Sequence, residues 1–465
     1  MGFVRVKPVV HNETCETCGV CIRDCPAELL LELREEENSL RQQVYKGTRI
    51  AEKPWQDGEF VRPPCQITCP IGQDVRTFVR RISEKNYAGA FSTIRETNAL
   101  PGVTAYVCHH PCEAQCIRNF IDEPLAIRTL KQFLLGQRMD NERNLPKILQ
   151  AKSKRVVIVG SGPAGFAAAY ELIRDGYMVE MIEALSEPGG MLRWALPSFR
   201  LPREVLNRDI QYLQNLGVRI RTRITFGVDI TLADLKAEGA GAILLAIGTH
   251  RSEETDLGCK DAAKGFVDCL TFLKQYADGK LMDIGSRVVV IGGGNAAIDS
   301  ARVARRCGVK EVSVIYRRGH KEMPADKAEL AHAEAEGIMV RYFTLPVRII
   351  LKDGAVHGVE CVKTKLCELD ESGRGTPIPK EGSEFVIHAS GVISAVGQKP
   401  DMMWNQTGEP FRLSAHNTFV TDGELATNLQ GVFAAGDCVT GPSTVVGAMA
   451  SGRRAACSIR NYLRG

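Results

Sequence analysis

Apolar and polar positions follow one another along this chain in two different rhythms. Between residues 61 and 150 the apolar positions recur at helical spacing. Val75, Phe78, Val79 and Ile82 share one face, and so do Ala90, Phe91 and Ile94. This predicts two helices that fold back on each other. A polar connector, "NERNLPKILQAKSK", then separates a second kind of pattern. Residues 155–159 are an apolar run of strand length, followed by a glycine turn, an alanine-rich helical stretch and a second apolar run ending at Glu183. The same order returns later, with a strand at 288–291, a helical stretch and a strand at 311–316. A last strand–turn–helix pattern is carried by "GVFAAGDCVTGPSTVVGAMASGRRAACSI". Strands that alternate with helical stretches predict an α/β fold with parallel sheets.

The turns carry chemistry. Gly160, Ser161, Gly162, Pro163, Ala164 and Gly165 form G-x-G-x-x-G at a strand–helix junction. The first glycine permits a tight turn, the second lets a pyrophosphate approach the backbone, and the third lets the helix pack on the strand. The phosphates then lie at a helix N-terminus, where free N–H groups and the dipole favour anions. Glu183, at the end of the second strand, is placed to accept from ribose hydroxyls. The second copy reads G-x-G-x-x-A. It starts at Gly292 and Gly294, runs through Asn295 and Ala296 and ends at Ala297. Its second strand ends in Arg317 and Arg318, with His320 and Lys321 behind them, where an acidic residue would select NAD. Arginine donates to a 2′-phosphate instead, so this site leans to NADP(H) over NAD(H). The alternative is a set of solvated surface charges, which their place at the strand end disfavours.

Cysteine usage adds a third kind of site. Nine of the 16 cysteines fall in the first 116 residues. Cys15, Cys18, Cys21 and Cys25 have the spacing C-x2-C-x2-C-x3-C before Pro26, the bacterial ferredoxin run. Structural zinc usually pairs two C-x2-C hooks across a long loop, which this compact run does not do. Cys65 and Cys69, before Pro70, and Cys108, Cys112 and Cys116 are further thiols that the folded-back helices would bring together. A helical core with buried thiols is the bland alternative. His109 and His110 read as neighbours of the ligands rather than ligands. Nine thiolates complete at most two cubanes, so one or two 4Fe-4S clusters are expected, two being favoured; the pairing stays open.

Composition limits the rest. The 465 residues allow about three domains at ~150 residues each. The net charge of +4 and the lack of a long basic run give no support for nucleic-acid binding. No apolar run reaches the ~18 residues of a membrane span, and the first residues lack the apolar core of a signal peptide. The expected location is the cytoplasm, where thiols stay reduced and clustered cysteines hold metal. The seven cysteines beyond residue 116 include no C-x-x-C, which argues against a disulfide exchanger.

The stretches "VVIVGSGPAG", "EPGGMLRWALPSFRLP", "AILLAIGTH", "VVVIGGGNAAIDSARVA", "YRRGHKEMPA", "ISAVGQKPD" and "GVFAAGD" occur in that order along the chain. Together they resemble the glutamate synthase small subunit and the N-terminal half of dihydropyrimidine dehydrogenase, over about residues 60 to 465. The resemblance implies a helical iron–sulfur domain, an FAD domain and an NAD(P)H domain inserted into it. The expected division is a ferredoxin-like segment at 1–60, the helical domain at 61–150, FAD parts at 151–260 and 391–465, and the NAD(P)H domain at 261–390. It also implies that Asp437, after Gly436, lies at the ribityl chain, that Thr444 approaches the isoalloxazine, and that the loop containing Gly190 borders the flavin. Two departures stand out. The family's C-x2-C-x4-C-x3-C-P keeps only Cys65 and Cys69 here, and the position of a glutamine or glutamate ligand is Lys131. The implied function is an electron-transfer subunit joining NAD(P)H, FAD and clusters to a catalytic or ferredoxin-like iron–sulfur redox subunit in a hetero-oligomer. A true glutamate synthase small subunit and an NADPH-dependent disulfide reductase are the rivals.

Overall fold

The computed structural model describes residues 62–137, 148–254, 256–258, 263–280, 282–369, 375–405 and 408–464. Cys15, Cys18, Cys21 and Cys25, and with them the ferredoxin-like segment, lie outside the described residues.

The helical part contains α1 (Pro64–Ile67), α2 (Val75–Ser83), α3 (Tyr87–Arg95), α4 (Pro101–Val107), α5 (Pro111–Ala114) and α6 (Ile127–Gly136). Local chemistry sets where these begin. Asp74 accepts from the Thr77 N–H at 3.0 Å to cap α2, and Asn86 accepts from the Gly89 N–H at 2.9 Å to cap α3. Pro101 and Pro111 open α4 and α5 with a φ already suited to a helix. α2 folds back along α3, and Val75, Phe78, Ala90, Ile94, Ile127 and Leu134 form one buried cluster that includes Cys112. The helically spaced positions at 75–82, with Ala90 and Ile94, thus face this small core, whereas Phe91 lies outside it under the Arg95 guanidinium.

A buried charge fastens the helical part to the remainder of the chain. Arg95 reaches Asp209 at 3.2 Å and lies over the Tyr212 ring at 3.8 Å, and Asp209 also accepts from the Val103 N–H at 3.0 Å. The pair satisfies both charges away from water, the condition under which buried ions persist.

Beyond residue 150 the chain builds two parallel sheets. The first uses β1 (Arg155–Val159), β2 (Met178–Glu183), β3 (Arg219–Thr222) and β4 (Ala240–Leu245). α7 (Pro163–Arg174) comes after β1, and α8 (Arg203–Asn215) after β2. After β4 the chain leaves for the second sheet, made of β5 (Phe266–Asp268), β6 (Arg287–Ile291), β7 (Glu311–Ile315) and β8 (Met339–Arg341). Between these strands lie α9 (Cys269–Ala277), α10 (Asn295–Arg306) and α11 (Lys327–Ala335). An antiparallel excursion comes next: β9 (Thr344–Lys352), β10 (Ala355–Leu369), β11 (Gly375–Pro379) and β12 (Phe385–His388). β13 (Gly391–Ser394) then pairs with β6 and β5, in the order β5-β13-β6-β7-β8. This strand lies beyond the expected boundary at 390 yet belongs to the second sheet. The chain returns to the first sheet with β14 (Val432–Ala434), giving β14-β4-β1-β2-β3. The second sheet is therefore an insertion in the first, and α12 (Asp437–Thr440) and α13 (Val445–Arg464) close the fold.

All pairings within the two five-stranded sheets are parallel. Their central strands are covered on both faces, as the continuous apolar runs demand: Val156, Val157 and Ile158 are fully buried. α13 lies directly on α7. A side chain on Gly452 would come within 2.0 Å of the Ala164 carbonyl oxygen, so the two helices touch backbone to backbone there. Among the described residues no helix is long and apolar enough to cross a membrane.

Candidate functional site

The first glycine turn joins β1 to α7. Gly160 has φ +103°, and a Cβ there would stand 2.3 Å from the Ala246 carbonyl oxygen on the neighbouring strand's exit. Gly165 is tied as closely: its Cβ would meet the Gly160 oxygen at 2.2 Å. Gly162 differs. It is the residue before α7, and a Cβ there would meet nothing within 4 Å. Two glycines are thus required by the protein's own packing, while the middle one fronts open space at a helix N-terminus. That is the cradle a pyrophosphate needs.

Three distant segments converge on this turn. Glu183, at the end of β2 and 6% exposed, accepts from the Ser161 N–H at 3.1 Å and from the Ser161 hydroxyl, and its other oxygen accepts from the Leu185 N–H at 2.9 Å. These bonds fix the carboxylate against the turn, and a carboxylate retains further acceptor capacity for ribose hydroxyls. The Gly189 N–H donates to the Ser161 hydroxyl at 3.1 Å, and Gly190, at φ +52°, could carry a Cβ only 3.0 Å from the Gly162 Cα. Gly436, at φ +78°, abuts Ala164, with 2.8 Å between the Cβ it would carry and that of Ala164. Asp437 comes next in the chain. Burial pushes its carboxyl above the usual range, partly offset by the Ser443 hydroxyl that donates to it at 2.9 Å. Thr444 is exposed and accepts from the Gly447 N–H at 3.1 Å, which caps α13.

The second turn, between β6 and α10, repeats the geometry. Gly292 has φ +143°, and its Cβ would come within 2.3 Å of the Ala395 oxygen; Gly294 again meets nothing within 4 Å. Asn295 and Ala296 start the helix, and Asn295 accepts from the Asp326 N–H at 2.9 Å. At the end of β7 the two arginines part. Arg317 is exposed, and its carbonyl accepts from the Thr364 hydroxyl at 2.7 Å. Arg318 is 5% exposed and donates to the Gly375 carbonyl at 2.8 Å. The expectation of a pair of phosphate donors thus meets a correction: Arg318 is turned into the protein because the strand β11 passes over it.

A buried charge network that the sequence does not announce lies between the two turns. Arg200, in the loop containing Gly190, reaches Asp299 on α10 at 2.7 Å and Glu329 on α11 at 3.3 Å. Arg302 meets Glu336 at 2.8 Å and also bonds Glu329. Burial raises the Asp299 carboxyl to about 6, outweighing the nearby Arg200. Arg200, Asp299 and Arg302 sit inside the motifs "PSFRLP" and "AAIDSARVA", but partners nearly a hundred positions apart leave no local pattern to read.

In the helical part the five described thiols divide. Cys69, Cys108 and Cys112 line one cavity, together with Thr104, Lys131 and Val446. Cys65 and Cys116 line another, beside Pro63, Pro64, Gln115 and Arg118. Burial raises the thiols of Cys65 and Cys112 to about 12 and raises that of Cys108 as well. The Lys131 ammonium opposes the shift at Cys108 and Cys112. Thiolates here thus need a compensating cationic centre, which is what a cluster supplies. Among the described residues no three Cys, His, Asp or Glu side chains converge tightly enough for a single ion. Thiols spaced around a cavity suit a multi-iron cluster better than zinc, whose four ligands crowd one atom at ~2.3 Å. His109 is exposed. His110 donates its N–H to the Cys108 sulfur at 3.4 Å and pairs with Glu113 at 3.6 Å; neither histidine lines either of these two cavities.

Arg128 connects this region to the second turn. It donates to the Cys108 carbonyl at 3.1 Å and faces Asp326 at 3.8 Å.

Two family models match the chain. One, for pyridine nucleotide-disulphide oxidoreductases, covers residues 154–452; the other, for dihydropyrimidine dehydrogenase domain II with its 4Fe-4S cluster, covers residues 58–143. Among curated proteins, the NADP(+)-dependent formate dehydrogenase subunit beta of Moorella thermoacetica is 38% identical over 430 residues, spanning 87% of this chain and 60% of that protein. The NADPH-Fe(3+) oxidoreductase subunit beta of Geobacter sulfurreducens is 39% identical over 430 residues, spanning 86% of this chain and 63% of its own length. The chain thus covers less than two thirds of either. The glutamate synthase (NADPH) small chain of Azospirillum brasilense is 32% identical over 419 residues, with 86% of both chains covered. The solved structure of Mycobacterium tuberculosis FprA in complex with NADPH superposes with a TM-score of 0.58 at 19% identity, over 67% of this chain and 85% of that one, a likeness of fold. The chain belongs to the pyridine nucleotide-disulphide oxidoreductase family, in the glutamate synthase small chain-like branch whose FAD/NAD(P)-binding part is preceded by a domain II-type 4Fe-4S domain.

Proposed function

We propose that this chain is an electron-transfer flavoprotein subunit that passes electrons between NAD(P)H and a partner redox protein. FAD would lie at the first glycine turn, NADP(H) at the second, and two 4Fe-4S clusters at the cysteine-lined cavities. One observation carries the reading. Val446 lines the cavity of Cys69, Cys108 and Cys112, and it lies two residues beyond Thr444 in the first turn of α13. Further along, at Gly452, the same helix packs on Ala164 in the first turn of α7, whose N-terminus fronts the first glycine turn. The nucleotide turn and the thiols therefore share one wall.

FAD, when bound, accepts a hydride as an electron pair and passes electrons on singly, which a cluster requires. The protein's own residues set the conditions. Gly160, Gly162 and Gly165 shape the phosphate cradle, and Glu183 and Asp437 are held as acceptors for the sugar and ribityl hydroxyls. Arg317 selects the 2′-phosphate. Cys69, Cys108 and Cys112 hold one cluster, and Cys65 and Cys116 contribute to the other. Cys15, Cys18, Cys21 and Cys25 are the remaining thiolate source. The partner would be a catalytic or ferredoxin-like iron–sulfur subunit, in a cytoplasmic hetero-oligomer. The names of the formate dehydrogenase and Fe(3+) oxidoreductase beta subunits support the subunit role. Anaerobic rapid mixing with NADPH tests this reading. Flavin absorbance should bleach within seconds, and the electron paramagnetic resonance (EPR) signals of reduced clusters should then appear. A flavin that bleaches while every cluster stays oxidised would point instead to a simple flavin reductase.

A further inference from the structure

We propose that Lys131 places an ammonium, rather than a fourth ligand, at the open side of the cavity lined by Cys69, Cys108 and Cys112. The cluster there is then held by three thiolates and keeps one iron that no side chain among the described residues ligates. This rests on reading that cavity as an iron–sulfur site.

The cavity presents three thiols and one cation. Lys131 projects from α6, is 7% exposed and lines the same space as the thiols. Its Nζ stands 3.4 Å from the Thr104 carbonyl oxygen, its hydrogen-bond partner among the described residues. An ammonium carries three donors, and a buried charge with one weak neutral acceptor is poorly compensated. A negatively charged object in the cavity resolves this. A four-iron core with two positive charges and three thiolates carries one net negative charge, and one ammonium neutralises it. A fourth thiolate would leave a surplus. The other cation near the sulfurs, Arg128, is directed at the Cys108 carbonyl and at Asp326, so it does not take this role. Cys65 and Cys116 line the separate cavity.

The arrangement has two consequences. The fixed cation raises the reduction potential of this cluster above that of a fully thiolate-bound one. The unligated iron is also removable: mild oxidation by ferricyanide releases one Fe2+ and takes one electron, leaving a core of three Fe3+. Added Fe2+ with one electron from dithionite restores it.

The test uses the full chain with its clusters, monitored by EPR spectroscopy, iron content and FAD absorbance. The wild type should give the signal of an oxidised three-iron cluster on ferricyanide treatment, reversibly. Lys131→Cys, which adds a fourth thiolate, should abolish that signal. Lys131→Met should keep the cluster and lower its midpoint potential in an EPR-monitored redox titration. The proposal is overturned if the wild type yields no three-iron signal, or if the signal survives in Lys131→Cys. It is also overturned if Lys131→Met loses the cluster while retaining FAD, since Lys131 would then be a ligand. Cys108→Ala tests the underlying reading separately: unchanged iron and unchanged spectra would mean that the cavity holds no cluster.

Discussion

The side chain of Arg317 reaches solvent at the end of β7, whereas Arg318 gives its guanidinium to the Gly375 carbonyl. Sequence reasoning could find the pair, because position at a strand end is local. It could not tell them apart, because β11 arrives from nearly sixty residues away. The division gives a sharp expectation. Arg317→Ala should weaken NADPH binding while sparing NADH, by the ~1.5–3 kcal/mol of a charge-assisted contact, or ~10-fold or more in Kd. Arg318→Ala should lower thermal stability and leave the NADPH-to-NADH ratio unchanged. Nucleotide titrations of both variants separate these outcomes; equal loss of both nucleotides in Arg317→Ala would remove the basis for preferring NADP. The glycines of the two turns could be named from the motif alone, whereas the tertiary neighbours that require Gly160 and Gly452, Ala246 and Ala164, leave no local pattern. Gly162 and Gly452 show two opposite demands. Gly162→Val should yield a folded chain without FAD, since its Cβ meets no protein atom but fills the cradle. Gly452→Val should fail to fold, since its Cβ meets backbone at 2.0 Å. A yellow, fully loaded Gly162→Val protein would place the flavin elsewhere.

At the scale of elements, α10 and α11 are joined to the loop containing Gly190 by the network of Arg200, Asp299, Arg302, Glu329 and Glu336. Asp299 holds its proton more tightly in the folded chain than the ordinary ~3.9 of an unfolded aspartate. Between about pH 4 and 6 the folded state therefore binds more protons than the unfolded one, so stability falls as pH rises through that window, and the loss is complete above it. Compared with Asp299→Asn, the wild-type melting temperature should fall from pH 4 to 6 and run parallel above 6. A difference that is constant across the window, or grows the other way, would show that Arg200 keeps Asp299 ionised throughout. Helices and strands with strong periodicity were readable from their own residues. The network was not, because it depends on how the insertion folds back.

For the whole molecule, the order of motifs announced two nucleotide turns and a thiol-rich start, and the two parallel sheets carry those turns in that order. The division of thiols was beyond the sequence. Cys65 and Cys69 are four residues apart yet line different cavities, because α1 turns the chain between them. The N-terminal run is the other dense source of thiols in the chain. Deleting residues 1–40 should remove about half of the iron and acid-labile sulfide, with FAD retained and NADPH-dependent dye reduction intact. Unchanged iron would mean that "CETCGVCIRDCP" holds no cluster. Lost FAD would make the segment part of the folding unit.

The contact from Arg128 to Asp326 spans the gap between two stations of the proposed relay. Arg128 holds the Cys108 carbonyl, while the Asp326 N–H holds Asn295 in the second glycine turn. One short chain of polar contacts thus runs from a thiol loop to a dinucleotide cradle. Any coupling that such a connection carries is reciprocal: whatever free energy nucleotide occupancy adds to or removes from electron uptake by a cluster held on these thiols, electron uptake must return to nucleotide affinity. Dinucleotide affinity of the reduced chain against that of the oxidised chain, compared between wild type and Arg128→Ala, is therefore the quantity that reads out any free energy passing through this contact.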